Sequence, residues 1–324
     1  MNDRKGLFRA LATIAFGLIC ASAQAQSFPS KPISLYLGLP AGGSTDFATR
    51  VLAEKVGSLL GQRILVENKP GASGVVAGNA LRDAKPDGYT LAIVTSGTPT
   101  ILVHTRKLPF DPLEDFTLIA RLFSFPSFLA VPASSPANSV ADLVKLAKSS
   151  PKGLFYGSQG TGSPQWLMGV LFQDTVGAKL TNVAYRGGPD MLHDLTSGQI
   201  DLAFISYTSA AGFIADGRLK VLATAAPARW EGLPNILTLD ELGYSGVSID
   251  SIFGLMGPKG MEPSVAEKLR ATFAQALADP SVKTRLAEQG FVVVPGDAKE
   301  FREFLEVDSK RLGALISKHG LREN

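Results

Sequence analysis

Leu39-Pro40-Ala41-Gly42-Gly43-Ser44-Thr45-Asp46 is the stretch from which the rest of the chain is read. Before it, Ile33, Leu35, Leu37 and Leu39 alternate as on a strand. After it, Phe47, Val51, Leu52, Val56 and Leu59 recur at the spacing of one helix face. The stretch is therefore a strand-to-helix turn. Two adjacent glycines let the backbone bend tightly and come close to a bound molecule. Ser44 or Thr45 is the expected helix cap, and the remaining N–H groups of the first turn face outward as donors. Such a helix end attracts an anion, for example a carboxylate.

A second loop of the same kind follows more than a hundred residues later. Leu154-Phe155-Tyr156 reads as a short strand that runs into Gly157-Ser158-Gln159-Gly160-Thr161-Gly162-Ser163. Pro164 stands where a first helical residue would, and Trp166, Leu167, Val170 and Leu171 supply a buried face. No lysine follows the glycines, so this is not a phosphate-binding P-loop, and its spacing is not that of a dinucleotide fingerprint. The two loops together suggest two helix ends facing each other across a cleft, each lending backbone donors to one anionic ligand.

Strand and helix signals alternate from Lys31 onward, which predicts an α/β protein with parallel sheets. Strands are expected near residues 64–66, 89–94, 183–185, 200–205 and 221–224. The strand near 94 ends in the small, hydroxylated Thr95-Ser96-Gly97-Thr98, and that near 205 in Ser206-Tyr207-Thr208-Ser209. In open α/β sheets the ligand crevice lies at such ends. Residues 119–123 and 128–131 read as a strand crossing between two domains, and residues 251–257 as the return. The tail predicts helices over 263–278, 281–289 and 298–319, with a strand at 291–294. The domains are expected to be 26–126 plus 250–324, and 127–249.

Arg4, Lys5 and Arg9 precede an apolar run over residues 10–21, and Ala23-Gln24-Ala25 offers a small-x-small cleavage site. Residues 1–25 are therefore expected to be a cleavable signal peptide, with the mature chain in the periplasm. The only cysteine, Cys20, falls inside that segment, so the mature chain has no disulfide. Its basic and acidic residues nearly balance, without a basic tract, and neither nucleic acid nor an anionic membrane is indicated as a partner.

An enzyme would need a nucleophile, a base and an orienting acid. The three histidines are scattered: His104 in an expected loop, His193 beside Asp194 on a helix, and His319 at the end of the last helix. No nucleophile elbow, zinc motif or Cys/His metal spacing occurs. The reading is a binding protein that has no catalytic residues and needs no metal or cofactor.

Phe28-Pro29-Ser30-Lys31-Pro32-Ile33, Pro40-Ala41-Gly42-Gly43, Val66-Glu67-Asn68-Lys69-Pro70-Gly71-Ala72, Pro86-Asp87-Gly88-Tyr89 and Tyr156-Gly157-Ser158 occur in a characteristic order. Tyr185-Arg186-Gly187, Gly198-Gln199-Ile200-Asp201-Leu202 and Leu277-Ala278-Asp279-Pro280 continue it. In this the mature chain resembles the Bug family, periplasmic substrate-binding proteins of tripartite tricarboxylate transporters. The resemblance implies a monomeric two-domain Venus-flytrap fold, type II-like, with two inter-domain crossings. It implies a small carboxylate held by backbone amides and hydroxyls of Ala41, Gly42, Gly43, Ser44, Thr45 and Asp46 on one side. On the other side stand Ser158, Gln159, Gly160, Thr161, Gly162 and Ser163, with Ser96, Gly187 and Ser206 nearby. The partner is implied to be either the membrane subunits of such a transporter or a membrane sensor kinase.

Three positions depart from the family pattern. Leu39 replaces a common aromatic residue, Trp166 a common histidine, and Ile205 an aspartate that can face the ligand. Without that carboxylate an ammonium group is poorly served, so the expected ligand is a carboxylate with an apolar or aromatic body rather than an amino acid. Phe28, just before the first strand, is the best aromatic candidate for a cleft wall. Trp166 is read as core.

Overall fold

The computed structural model describes residues 28–322, so the expected signal peptide lies outside the described residues. Two sheets organise the chain. The first contains β1 (Ile33–Leu37), β2 (Ile64–Asn68), β3 (Thr90–Thr95), β4 (Phe116–Phe125), β10 (Ser251–Pro258) and β11 (Val292–Gly296), in the order β11-β4-β10-β3-β1-β2. The second contains β5 (Ser127–Pro132), β6 (Leu154–Ser158), β7 (Leu180–Ala184), β8 (Leu202–Ser206) and β9 (Leu219–Thr224), in the order β7-β6-β8-β5-β9. The expected parallel pairing holds only at the two loop-bearing strands. β1 lies parallel to β2 and β3, and β6 parallel to β7 and β8. The crossing strands are antiparallel: β10 to β3 and β4, and β5 to β8 and β9. A strand that leaves one sheet to start another arrives from the opposite end, which makes both sheets mixed.

β1 and β6 are each flanked by the two parallel strands that follow them in the chain. Each is therefore the strand at which the winding direction reverses, where an α/β sheet opens a crevice at its C-terminal edge. The helices that follow are α1 (Ser44–Leu60) after β1 and α4 (Pro164–Val176) after β6. Between them come α2 (Val75–Arg82) and α3 (Val140–Ser149). α5 (Gly188–Ser197) and α6 (Tyr207–Ala215) follow β7 and β8. The tail holds α7 (Pro263–Ala278), α8 (Pro280–Glu288) and α9 (Ala298–Lys318).

Alternation on β1 and the helical stripe on α1 converge in one core: Ile33, Leu35 and Leu37 meet Val51, Leu52 and Val56. Phe123 sits at its centre, fully buried, with ring centroids 5.3 Å from Phe253 and 5.2 Å from Phe291. Phe123→Ala is expected to cost about 3–5 kcal/mol in chemical denaturation, and a loss below about 1 kcal/mol would show that this cluster can collapse. The second core gathers Leu129, Tyr156, Leu167, Phe172 and Phe204. α9 belongs to both sides. Its Phe301 and Leu305 pack beneath the first sheet, whereas Leu312 and Ile316 enter the core of the second.

The expected helix after residue 71 begins differently. Ala72–Gly74 form a short 3₁₀ turn, in which Ala72 and Ser73 hold left-handed φ angles of 48° and 54°. His104 is not in a loop but in a short helical stretch, Val103–Thr105, with its Nε2 2.8 Å from Ser309 Oγ.

Candidate functional site

β1 ends at Leu37 and the chain turns through residues 38–43 into α1. Gly42 has φ +82°, a conformation that a side chain resists, and Gly43 is the helix N-cap. The expected cap by Ser44 or Thr45 does not form: both lie inside the helix, and no side chain caps it. Asp46 organises the loop instead. Its Oδ2 accepts from Gly42 N–H at 3.1 Å and Arg50 Nε at 3.0 Å, and its Oδ1 accepts from Asn68 Nδ2 at 3.0 Å. Asn68 Nδ2 also donates to Leu39 O at 2.9 Å, which ties the loop to the end of β2. Burial by itself raises the Asp46 pKa, but the hydrogen bonds from Arg50, Asn68 and Gly42 outweigh it and hold the carboxyl below its ordinary range. With no side-chain cap, the N–H groups of Ser44, Thr45 and Asp46 meet no acceptor among the described residues.

The opposite loop is built differently. Ser163 caps α4, accepting from Trp166 N–H at 3.2 Å and donating to Gly160 O at 2.7 Å. Pro164 brings no N–H, so the start of α4 has few donors to offer. The expected symmetry of two open helix ends is therefore corrected: α1 is open and α4 largely closes itself. α5 and α6, which begin at Gly188 and Tyr207 without side-chain caps, also point their first turns toward the cleft.

The cleft is shut. Ser44 Oγ lies 3.2 Å from Ser206 Oγ, which lies 3.0 Å from Ser209 Oγ. Ser73 Oγ donates across the cleft to Thr161 O at 3.0 Å. A Cβ on Gly187 would stand 2.4 Å from Pro40 Cγ, so these two loops touch.

Within the closed space, Gly43, Ser44, Thr45, Asp46, Gln159, Gly162, Ser163, Ile205 and Ser206 line one cavity. Leu39 and Ile205, two of the departures from the family pattern, lie in the wall. The other expected residues do not line it. Ala41 and Gly42 are exposed at the loop tip. Ser96 is spent on the return strand, its N–H donating to Ile252 O at 2.8 Å and its hydroxyl to Asp250 O at 3.4 Å. Ser158 is fully buried, and its hydroxyl accepts from Gly160 N–H at 3.0 Å. Gly160 and Thr161 lie outside the lining, and Gly187 is pressed on Pro40.

Phe28 needs the clearest correction. It packs edge-on against Tyr89 with centroids 5.1 Å apart, near Gly88 and Val265. A residue that precedes β1 lies at the N-terminal edge of the sheet, away from the cleft at the C-terminal edge. Trp166 is core, as read.

The lining also contains residues that the sequence did not single out. Phe110, Phe116, Phe125, Phe204, Phe253 and Met256 make much of it apolar, and Gln165, Ser209 and Ser251 add polar groups. Of these, Gln165 lies two residues beyond the second loop, and Ser209 belongs to the hydroxylated stretch after the strand at 200–205. Among the described residues the only ionisable one in the lining is Asp46, whose charge is already partnered, and no lysine, arginine or histidine of that set lines the cavity. No metal-binding group of His, Cys, Asp or Glu occurs among the described residues, and no helix there is long and apolar enough to cross a membrane.

Comparison with known proteins follows the same lines. The sequence profile of the Tripartite tricarboxylate transporter family receptor, TctC, matches residues 48–321. The UPF0065 protein in the gbd 5' region of Cupriavidus necator is 34% identical over 318 residues, covering 98% of this chain and 96% of that one. Among solved structures, Rpa4515 of R. palustris with adipate superposes with a TM-score of 0.87 at 29% identity, covering 91% of this chain and 99% of that one. MatC of Rhodopseudomonas palustris with bound malate gives 0.84 at 27% identity, covering 89% and 100%. Closed cleft, open helix end and matched length agree: the chain belongs to the tripartite tricarboxylate transporter receptor family of Bug and TctC proteins, which are solute-binding proteins and not enzymes.

Proposed function

We propose that this protein is a monomeric periplasmic receptor for a small carboxylate with an apolar body. Residues 26–126 plus 250–324 form one domain and 127–249 the other, with hinges near Ser127 and Asp250. The open form admits the ligand, and closure brings both loops around it. The membrane subunits of a tripartite transporter then recognise the closed form.

One observation carries this reading. The unpartnered N–H groups of Ser44, Thr45 and Asp46 stand at the positive end of α1, in a mostly apolar cavity without a cationic side chain. Such an end suits one carboxylate. The apolar walls suit a carbon body, and Ile205 leaves an ammonium group without a counter-charge. Adipate and malate in two relatives are consistent with a carboxylate.

The test is a thermal-shift screen of residues 26–324 against aliphatic and aromatic carboxylates, amino acids and sugars. Ligand at about 100 times its dissociation constant adds about 2.7 kcal/mol, a shift of several degrees in a chain of this size. A response confined to carboxylates is expected. Equal responses to amino acids would overturn the role given to Ile205, and a response to sugars alone would overturn the carboxylate reading.

A further inference from the structure

We propose that the Gln165 amide and the Ser251 hydroxyl form a neutral subsite that reads an uncharged hydrogen-bonding group, a hydroxyl or an amide N–H, on the ligand. The inference rests on the carboxylate reading above and adds the chemistry of the ligand's other end. The ligand class is then a hydroxy- or amido-carboxylate with an apolar span.

Gln165 is 6% exposed and Ser251 2%, and both line the cavity. Gln165 Oε1 and Ser251 Oγ are buried without a hydrogen-bond partner among the described residues. Buried polar atoms of folded proteins are almost always bonded, and an unbonded pair in a ligand cavity calls for a partner. Local structure does not use these groups. Ser163 and Pro164 complete the start of α4 without the Gln165 side chain. The backbone of Ser251 pairs with Phe125 in the ladder, which leaves its hydroxyl idle. Ser127 Oγ is also unbonded, but it does not line the cavity and carries no such implication.

The residues next to the two groups both meet the segment that follows β3. A Cβ on Gly97 would lie 3.0 Å from Pro164 Cδ, next to Gln165, and the preceding Ser96 N–H donates to Ile252 O at 2.8 Å, next to Ser251. Gln165 belongs to the second sheet's side of the cleft, and Ser251 begins the strand that returns to the first.

Charge decides what they bind. A second carboxylate there would be buried without any cationic side chain in the wall, and it would still leave an amide oxygen unmatched. A hydroxyl donates to the amide oxygen and accepts from serine, and an amide N–H also satisfies Oε1. The assignment takes Oε1 as the buried atom; a turned amide would place N–H donors there and favour a second carboxylate, which the diacid series below reads out. Ile205, Phe204 and Phe253 supply apolar lining of the same cavity.

The test is calorimetric titration of the chain from residue 26 with three matched series of about four to eight carbons: plain monocarboxylates, ω-hydroxycarboxylates and α,ω-dicarboxylates. At one length the hydroxycarboxylate is expected to bind at least about tenfold more tightly than the plain acid, and more tightly than the diacid. In Gln165→Met the hydroxy-to-plain ratio is expected to fall to about one. Ser251→Ala should lower the same ratio, and carries the test if the first variant does not fold. A diacid that binds tightest, or a ratio that both variants leave intact, overturns the subsite. Carboxylates that bind without any hydroxyl preference also overturn it, while leaving the receptor reading standing. If no acid of any series binds, the carboxylate reading itself falls.

Discussion

Gly162→Ala is expected to hold the protein open and to weaken ligand binding about 100-fold, which corresponds to about 2.8 kcal/mol. Gly162 has φ +84°, and a Cβ there would stand 2.1 Å from Leu102 Cδ1 and 3.1 Å from both Leu102 Cβ and Cγ. Leu102 is fully buried, so it cannot swing aside as a surface side chain would. Gly162 comes from the loop after β6 and Leu102 from the turn after β3. A methyl group between them wedges one side of the cleft from the other.

Gly160→Ala is the matched control. Gly160 has φ +92° in the same loop, but a Cβ there meets nothing within 4 Å. Both variants therefore bear the backbone penalty of about 1–2 kcal/mol, and only Gly162→Ala bears the wedge. Titration with the best ligand of the screen, together with small-angle scattering, separates them. If the two variants bind alike, closure is not limited at Leu102.

The second large effect is expected at Asp46. Asp46→Ala leaves Gly42 N–H, Arg50 and Asn68 without their shared acceptor and frees the loop that aims α1 at the cleft. Hydrogen bonds to a charged group contribute about 1.5–3 kcal/mol each when well shielded. Arg50 is half exposed, so solvent screening discounts its share and the expected total is about 2–3 kcal/mol. Ligand affinity is expected to fall with it by about tenfold.

The pH dependence has a definite sign. The folded pKa of Asp46 lies below the ordinary aspartate value, so its stabilisation is fully present above that ordinary value and is lost as pH falls through the folded pKa. The stability gap between wild type and Asp46→Ala should be largest near about pH 7 and shrink under strong acid. A gap that stays constant down to about pH 2 would mean that shape, not charge, holds the loop.

The features legible in the sequence were those with local causes. The Gly42-Gly43 turn, the alternation on β1 and the stripe on α1 are short-range patterns, and the structure repeats them. Ser139 at the start of α3 is a cap, as its spacing to Asp142 suggests: it accepts from Asp142 N–H at 3.1 Å. What escaped was set by distant residues. The helix starts one residue earlier than the expected cap requires, with Gly43 as its N-cap, and Asp46 is tied to Asn68 at the end of β2, a partner that no local window contains. Phe110, Phe116 and Met256 reach the cavity from separate segments and carried no sign of it. Phe28 was legible after all. A residue before a strand cannot stand at that strand's C-terminal edge, and the rule that places the cleft there already excluded it.

The final helix adds a mechanical consequence. Two strands that pass between the sheets define an axis, and rotation about that axis need not stretch either of them. α9 makes a third linkage, next to the crossing at Asp250, with Phe301 and Leu305 anchored on one body and Leu312 and Ile316 on the other. A rigid rod fixed to both bodies cannot follow a free swing. It must shear along one core, and side chains embedded in close packing resist shear in steps of whole contacts rather than continuously. Any opening of the two bodies is thus expected to be limited by this tail, which lies outside the cavity lining.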